Sequence, residues 1–233
     1  DSVPSTSDSG ALTMLMQTLK TVLHGSVLTL ECQTISLDFL RLLSQPKAQM
    51  HRIFTIRMLM CHFTREQGLL EKLCEFISGT SCRQMEIEFC TGEEGIICDK
   101  LLQSLPLLQS LNIRERRLGS NTITDKTIES WLSRTSPPPQ LINLTRSVTS
   151  ITVGSIAKMI EVVLSQSATD KFSWNFGSIS ANNLDQLGTL LRLYHTGLTI
   201  AFHTDNSGTR IIKAVHPRLD VFFRIEPIDL SSQ

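Results

Sequence analysis

Two carboxylates one residue apart, Glu86 and Glu88, form the pair in this sequence whose types and spacing most resemble acid–base machinery. They stand in the run 85–90, where polar and apolar residues alternate, and the alternation predicts a β-strand with both glutamates on one face. A carboxylate pair can act as general acid and base where a cleft shifts its pKa values. Arg57 and Arg114 stand on neighbouring predicted strands, so a solvated, charge-balanced face is the preferred interpretation.

The histidines form no recognisable metal site. No two of them have the H-x-x-x-H spacing that places two metal ligands on one helix face. The motifs G-x-S-x-G, G-x-x-x-x-G-K-[ST] and G-x-G-x-x-G do not occur either. We therefore predict no catalytic residue, no metal and no cofactor, and an enzyme with an unrecognised site remains an alternative. The histidines are His24, His51, His62, His195, His203 and His216.

All six cysteines lie within the first 98 residues, and none belongs to a C-x-x-C pair. A disulfide framework or a zinc site needs paired spacings, so the pattern indicates reduced thiols and an intracellular, cytoplasmic location. Cys61 and Cys90 occupy interior positions, where we expect them to behave as small buried hydrophobes and not as reactive thiols. The triplet Asn143-Leu144-Thr145 is a glycosylation sequon, which would matter only in a secreted protein.

Composition bears on the kind of partner. Lys+Arg and Asp+Glu each number 22, and the basic run 114–117 contains an acid, so nucleic acid is disfavoured. No apolar run approaches the ~18 residues of a membrane span. We predict a protein partner, no nucleic acid and no membrane. Because the sequence begins at Asp1 without a methionine, we also expect it to be part of a larger chain or complex.

One short unit occurs seven times: a strand with two apolar residues separated by one residue, usually followed by a helix. The first residues of successive pairs are 28, 29, 26, 31, 30 and 26 positions apart, which lies in or just beyond the ~20–29 period of leucine-rich repeats. Trp131 and Trp174 fall at apolar positions and are predicted to be core. The pairs are Leu28/Leu30, Ile56/Met58, Met85/Ile87, Leu111/Ile113, Ile142/Leu144, Phe172/Trp174 and Leu198/Ile200.

Polar residues between the apolar strand positions decide between two arrangements of such units. A doubly wound sheet is covered by helices on both faces, and its strands read as nearly continuous apolar runs. Here polar side chains alternate with apolar ones, so one face of the sheet must meet water. We therefore predict an α/β leucine-rich-repeat horseshoe, a solenoid with one-sided helices, seven parallel strands on its inner surface and a C-terminal antiparallel β cap.

The predicted division of the chain follows from composition and periodicity. Residues 1–10 are a disordered tail, 11–25 an N-terminal capping helix, 26–203 the solenoid, and 204–233 the β cap and tail. Thr64 and Thr124 are predicted helix N-caps. Predicted helices include 93–105, 153–165 and 183–195.

The units resemble leucine-rich repeats of the ribonuclease-inhibitor-like type, with an L-x-L-x-x-C/N-x-L core. Ile56, Met58, Cys61 and Phe63 match this core throughout, whereas Arg116 stands where the family has Cys or Asn. The end of the chain, 209–223, is similar to F-box-associated repeats of nematode F-box proteins, which implies a substrate receptor of a ubiquitin ligase. The repeats are also similar to the sensing end of NOD-like receptors, which gives a second implied role.

The expected function is therefore a non-catalytic protein–protein interaction module that binds its partner on the concave strand face. Concave repeat surfaces offer many shallow contacts, and arginine beside carboxylates is a frequent source of binding energy. The predicted binding residues are the outward-facing strand positions Arg57, Leu59, Glu86, Glu88, Asn112, Arg114, Asn143 and Asn175.

Overall fold

The computed structural model describes residues 26–44, 50–114, 122–166, 170–179, 188, 190 and 197–225. Within these ranges the chain forms thirteen strands and five helices, numbered here in chain order. The predicted tail 1–10, the predicted capping helix 11–25, Arg116 and nearly all of the predicted helix 183–195 lie outside the described residues. The strands are β1 Val27–Glu31, β2 Thr34–Ile35, β3 Thr55–Leu59, β4 His62–Phe63, β5 Gln84–Glu88, β6 Thr91–Gly92, β7 Ser110–Arg114, β8 Leu141–Asn143, β9 Val148–Thr149, β10 Phe172–Ile179, β11 Thr199–Thr204, β12 Arg210–His216 and β13 Leu219–Ile225.

Ten of these strands form one sheet, with the order β1-β3-β5-β7-β8-β10-β13-β12-β11 and β9 beside β10. The pairs from β1 to β10 are parallel, and so is the pairing of β10 with β13. β13, β12 and β11 then run antiparallel to one another. The short strands β2, β4 and β6 make a separate parallel sheet. The large sheet is therefore mixed but mostly parallel.

Alternating burial explains why these segments form strands. In β3, Ile56 and Met58 are buried whereas Arg57 is exposed, and β1 shows the same order. Ile56, Met85, Leu111 and Ile142 are register partners across four adjacent strands, and all are buried. Such a row removes apolar surface from water at about 25 cal/mol per Å² and fixes the register, because a slip by one residue would expose it.

The helices are α1 Leu37–Leu43, α2 Leu69–Ser78, α3 Asp99–Gln103, α4 Asp125–Leu132 and α5 Val153–Ser165. As predicted, Thr124 caps α4, since its Oγ1 accepts the Lys126 N–H at 3.2 Å. The prediction for Thr64 is wrong: α2 begins after Gly68, whose φ is 88°, and the Thr64 hydroxyl donates to the Ile35 carbonyl at 3.2 Å. The prediction for 93–105 is too long, because only Asp99–Gln103 is helical.

The predicted horseshoe is wrong. The chain is a mixed α/β structure in which strands dominate over helices, and the sheet is not curled into a solenoid. A solenoid requires each repeat to pair only with its neighbours in sequence, but β10 pairs with β13, which lies 40 residues further along the chain. Because β13 and β12 lie between β10 and β11, β11 is at the far end of the sheet and antiparallel to β12. β11 was the seventh predicted parallel strand. The three last strands therefore continue the main sheet and do not form a separate cap.

Among the described residues, no helix combines the length and the apolar character needed to cross a membrane.

Candidate functional site

All eight predicted binding residues lie on one face of the large sheet, which we call the open face. Arg57, Glu86, Asn112, Asn143 and Asn175 are register partners across five consecutive parallel strands, one residue per strand. Leu59, Glu88 and Arg114 form a second row, two residues further along β3, β5 and β7. Side chains two residues apart on a strand point to the same side, so the two rows are adjacent.

The first row is a continuous ladder of hydrogen bonds. Arg57 Nε lies 3.0 Å from Glu86 Oε2 in an ion pair. Asn112 Nδ2 donates to Glu86 at 3.0 Å and also to Glu88 at 2.9 Å. Asn143 Nδ2 in turn donates to Asn112 Oδ1 at 2.9 Å. Each side chain is thus held by the next, which limits the rotamers that it can adopt.

The ladder continues through Thr145 to the next strand. The Thr145 hydroxyl donates to Asn143 Oδ1, and Asn175 Nδ2 donates to Thr145 Oγ1 at 3.1 Å. Asn175 Oδ1 accepts the Gly177 N–H at 3.0 Å. Thr145 therefore belongs to the polar network, although it was not among the eight predicted binding residues. The Asn143 Nδ2 that would carry a glycan is already bonded within the ladder.

The second row adds an ion pair between Arg114 and Glu88, whose Nε and Oε1 atoms are 3.2 Å apart. The Glu88 carboxylate is thus held by both Arg114 and Asn112. Side chains of Arg57 and Arg114 remain about half exposed, at 50% and 47%. The guanidinium groups are therefore positioned by carboxylates and remain accessible to a partner.

A shallow depression of about 540 Å³ lies over the ladder. Its lining includes Arg57, Glu86, Asn112, Arg114, Asn143 and Asn175, so it collects six of the eight predicted residues. Thr55, Gln84, Ser110 and Ser173 add further polar groups, and Leu141 adds an apolar side chain that is 42% exposed.

Sequence reasoning missed an apolar edge beside the open face. Met60 and Phe89 directly follow β3 and β5, and their side chains are 51% and 55% exposed. Strand alternation would have placed both in the core, but each has a positive φ, 53° and 56°, which turns the side chain outward. The Arg146 guanidinium lies 5.9 Å from the centroid of the Phe89 ring. In the sequence, the one sign of this outward turn is that the alternation stops at Met60 and Phe89, since each is followed directly by another apolar residue, Cys61 or Cys90.

The remaining sequence candidates are the histidines, the cysteines and the tryptophans, and His24 and His195 lie outside the described residues. Among the described residues, no group of three or more His, Cys, Asp or Glu could hold a metal ion. As predicted, Cys61 and Cys90 are buried. A hydrogen bond from Cys90 lowers the pKa of the Cys61 thiol to about 7, which differs from the inert thiol that we expected there. Trp131 and Trp174 are core residues, also as predicted. The run 115–117 lies outside the described residues.

Comparison with models of known protein families, with curated proteins and with solved structures finds no match to this chain.

Proposed function

We propose that the chain is a non-catalytic protein–protein interaction module that binds a protein partner on the open face. The observation that carries the proposal is the ladder from Arg57 to Asn175. It presents ionic and amide groups at fixed spacing, one per strand, over a wide and shallow surface. That geometry suits many simultaneous contacts with another protein surface.

Preorganisation supports this role. Association costs free energy for every side chain that must be ordered, about 0.5–1.5 kcal/mol per rotamer-rich residue. In the ladder, Glu86, Asn112 and Asn143 are already ordered by one another. Arg57 and Arg114 each keep part of the guanidinium exposed while a carboxylate holds it in place. A partner would therefore meet a polar surface that needs little rearrangement.

The residue types at the apolar edge support the same role. Met, Phe and Arg are enriched in protein interfaces, and Met60, Phe89 and Arg146 stand together at one edge of the open face. Holding a bulky residue in the left-handed backbone region costs of order 1–3 kcal/mol, and such strain clusters at binding sites. Two bulky side chains exposed at this cost favour a binding role for the edge.

The test compares ion pairs on two surfaces. Arg114→Ala and Glu88→Ala should each weaken partner binding by roughly 2 kcal/mol or more if the pair lies at a hot spot. Melting temperatures should stay within a few degrees. The matched control is the cross-helix pair Lys100–Glu71, 2.7 Å apart and also exposed, where alanine should leave binding unchanged. If the helix substitutions abolish binding and the strand substitutions do not, the surface has been misassigned.

Roles in ubiquitin transfer or ligand sensing stay predictions. They depend on a resemblance that also implied a horseshoe, and the sheet does not have that form. The proposal of a protein-binding surface rests instead on the side chains of the open face. We also propose, from the unpaired cysteines, an intracellular and cytoplasmic location.

A further inference from the structure

A second cavity, of about 370 Å³, lies at the carboxyl ends of α4 and α5. Trp131, Arg134, Pro137 and Pro138 line it from one side, and Val162 and Asp170 contribute to the rest of the wall. None of its lining residues lines the depression over the ladder. Its volume falls within the range of about 300–1,000 Å³ typical of small-molecule sites.

Three nitrogen donors at this cavity have no partner. Trp131 Nε1 and both terminal nitrogens of Arg134, Nη1 and Nη2, are shielded from solvent and make no hydrogen bond. A buried donor without a partner costs about 1–3 kcal/mol, and more when it is charged. Burial also lowers the pKa of Arg134 to about 10, which reports the same unfavourable desolvation of its charge.

Two comparable side chains nearby show that the fold can satisfy such donors. Trp174 Nε1 donates to the Pro139 carbonyl at 2.8 Å. Arg218 donates from Nη1 to Gln166 O at 2.8 Å and from Nη2 to Val163 O at 2.7 Å, at the carboxyl end of α5. Arg218 leaves only its Nε without a partner. Trp131 and Arg134 differ from these neighbours, since the indole N–H and both terminal guanidinium nitrogens are unused.

We propose that this cavity binds the carboxylate of a small apolar organic acid, with Arg134 and Trp131 as its donors. The planar guanidinium fork matches the two oxygens of a carboxylate, and the indole N–H supplies a third donor. Because all three nitrogens are shielded from solvent, both the guanidinium and the indole ring must turn toward the cavity as the acid enters. Leu132, Val162, Pro137 and Pro138 then surround an apolar body.

The charges at the cavity favour a monoanion over a phosphate dianion. Arg134 is the single cationic side chain among the lining residues that the structure describes, and Asp170 contributes an opposing charge. The Arg218 guanidinium is nearby, but it is bound to backbone carbonyls at the end of α5. The carboxyl end of a helix also carries partial negative charge, and Arg134 follows α4 closely. One guanidinium can balance one carboxylate in this setting, but a dianion would face repulsion from Asp170.

The test follows the indole N–H signals of the whole chain by NMR. The sequence has two tryptophans, so two such signals are expected, and Trp131→Phe assigns them. Benzoate and 4-methylpentanoate should shift the Trp131 signal saturably and leave the Trp174 signal in place. Benzamide and inorganic phosphate should shift neither. No saturable shift with either acid would overturn the proposal, and so would equal binding of benzamide or tighter binding of phosphate.

Variants separate binding from folding. Arg134→Met should weaken benzoate binding roughly tenfold or more and should not lower the melting temperature, because it removes an unpaired buried charge. Arg210→Met, at an exposed strand position, should change neither. Asp170→Asn should tighten binding. If Asp170→Asn abolishes binding, or if Arg134→Met binds benzoate normally, the proposed arrangement is wrong.

Discussion

Asn112 joins Glu86 and Glu88, because its single Nδ2 group donates to both carboxylates, at 3.0 and 2.9 Å. The two glutamates lie on the same face of β5, where like charges repel. The amide relieves this repulsion by offering one proton to each, and Arg57 and Arg114 neutralise them from the neighbouring strands. The pair that looked most like acid–base machinery is therefore held as part of an ordered polar surface.

Asn112→Asp should destabilise the chain by about 1–3 kcal/mol at pH 7, since it removes two hydrogen bonds to charged groups and adds a third carboxylate. The introduced carboxyl should have a folded-state pKa above its unfolded value. Its penalty should therefore be small below the unfolded pKa and grow as the pH rises toward the folded one. Urea unfolding at pH 4 and pH 7 measures this, and Asn206→Asp, in an exposed turn, is the control. An equal loss at both pH values would contradict the repulsion.

Cys82 should reduce stability at alkaline pH. Burial raises the pKa of its thiol from 9.0 to about 11, so above pH 9 the unfolded chain loses this proton while the folded chain retains it. Stability is then lost progressively between pH 9 and 11, by on the order of 2–3 kcal/mol. Cys82→Ser keeps a donor for the Gln84 carbonyl, which the thiol contacts at 3.2 Å, and removes the titration. Its unfolding free energy should fall less over this range, and identical curves for both proteins would refute the assignment.

Phe223→Ala should cost about 3–5 kcal/mol, because the Phe223 ring is fully buried in β13 and its removal leaves a cavity. Its register neighbour Ile212, on β12, is fully buried too. Phe202, which pairs with Ile212 from β11, is 50% exposed. Phe202→Ala is therefore the matched control and should cost less than half as much in chemical denaturation. Equal losses would mean that β11 is covered more fully than the structure indicates.

Phe89→Asn separates stability from binding at the apolar edge. Asparagine tolerates the left-handed backbone better than phenylalanine does, and the ring is largely exposed, so the free energy of unfolding should change by less than about 1 kcal/mol. Partner binding should nevertheless weaken if the edge contributes to the interface. Phe76→Asn, at a fully buried site, should instead destabilise severely. Unchanged partner affinity in Phe89→Asn would remove this edge from the proposed surface.

Local alternation was enough to predict nine of the thirteen strands and the residues that share the open face, but not the two-residue strands β2, β4, β6 and β9. Ile56 and Met58 in β3, for example, are buried as the pattern indicates, with Arg57 exposed between them. The pattern did not predict the pairing of β10 with β13, because local periodicity does not depend on which distant segments pair. The horseshoe was inferred from the repeat period and from the polar residues that alternate along the strands, and this long-range pairing is incompatible with it.

Backbone conformation explains the other error at the site. Phe89 continues the apolar alternation of Met85 and Ile87, so the sequence pattern indicates a core residue. A positive φ at Phe89 breaks the two-residue period and turns the ring toward solvent. Non-glycine residues seldom adopt this conformation, so the residue type gave no signal. The residues of the ladder, by contrast, stand at equivalent positions of the repeated strand pattern, and the strand register places them side by side.

Site-specific photo-crosslinking tests the central claim most directly. A photoreactive amino acid replaces Ser173, an exposed open-face residue of β10 that lines the depression, and in a parallel protein it replaces Glu161, which is exposed on α5. A partner bound on the open face should crosslink to the chain carrying the probe at 173 and not to the chain carrying it at 161. Crosslinking from 161 alone, with the partner fully bound in both experiments, would contradict the account.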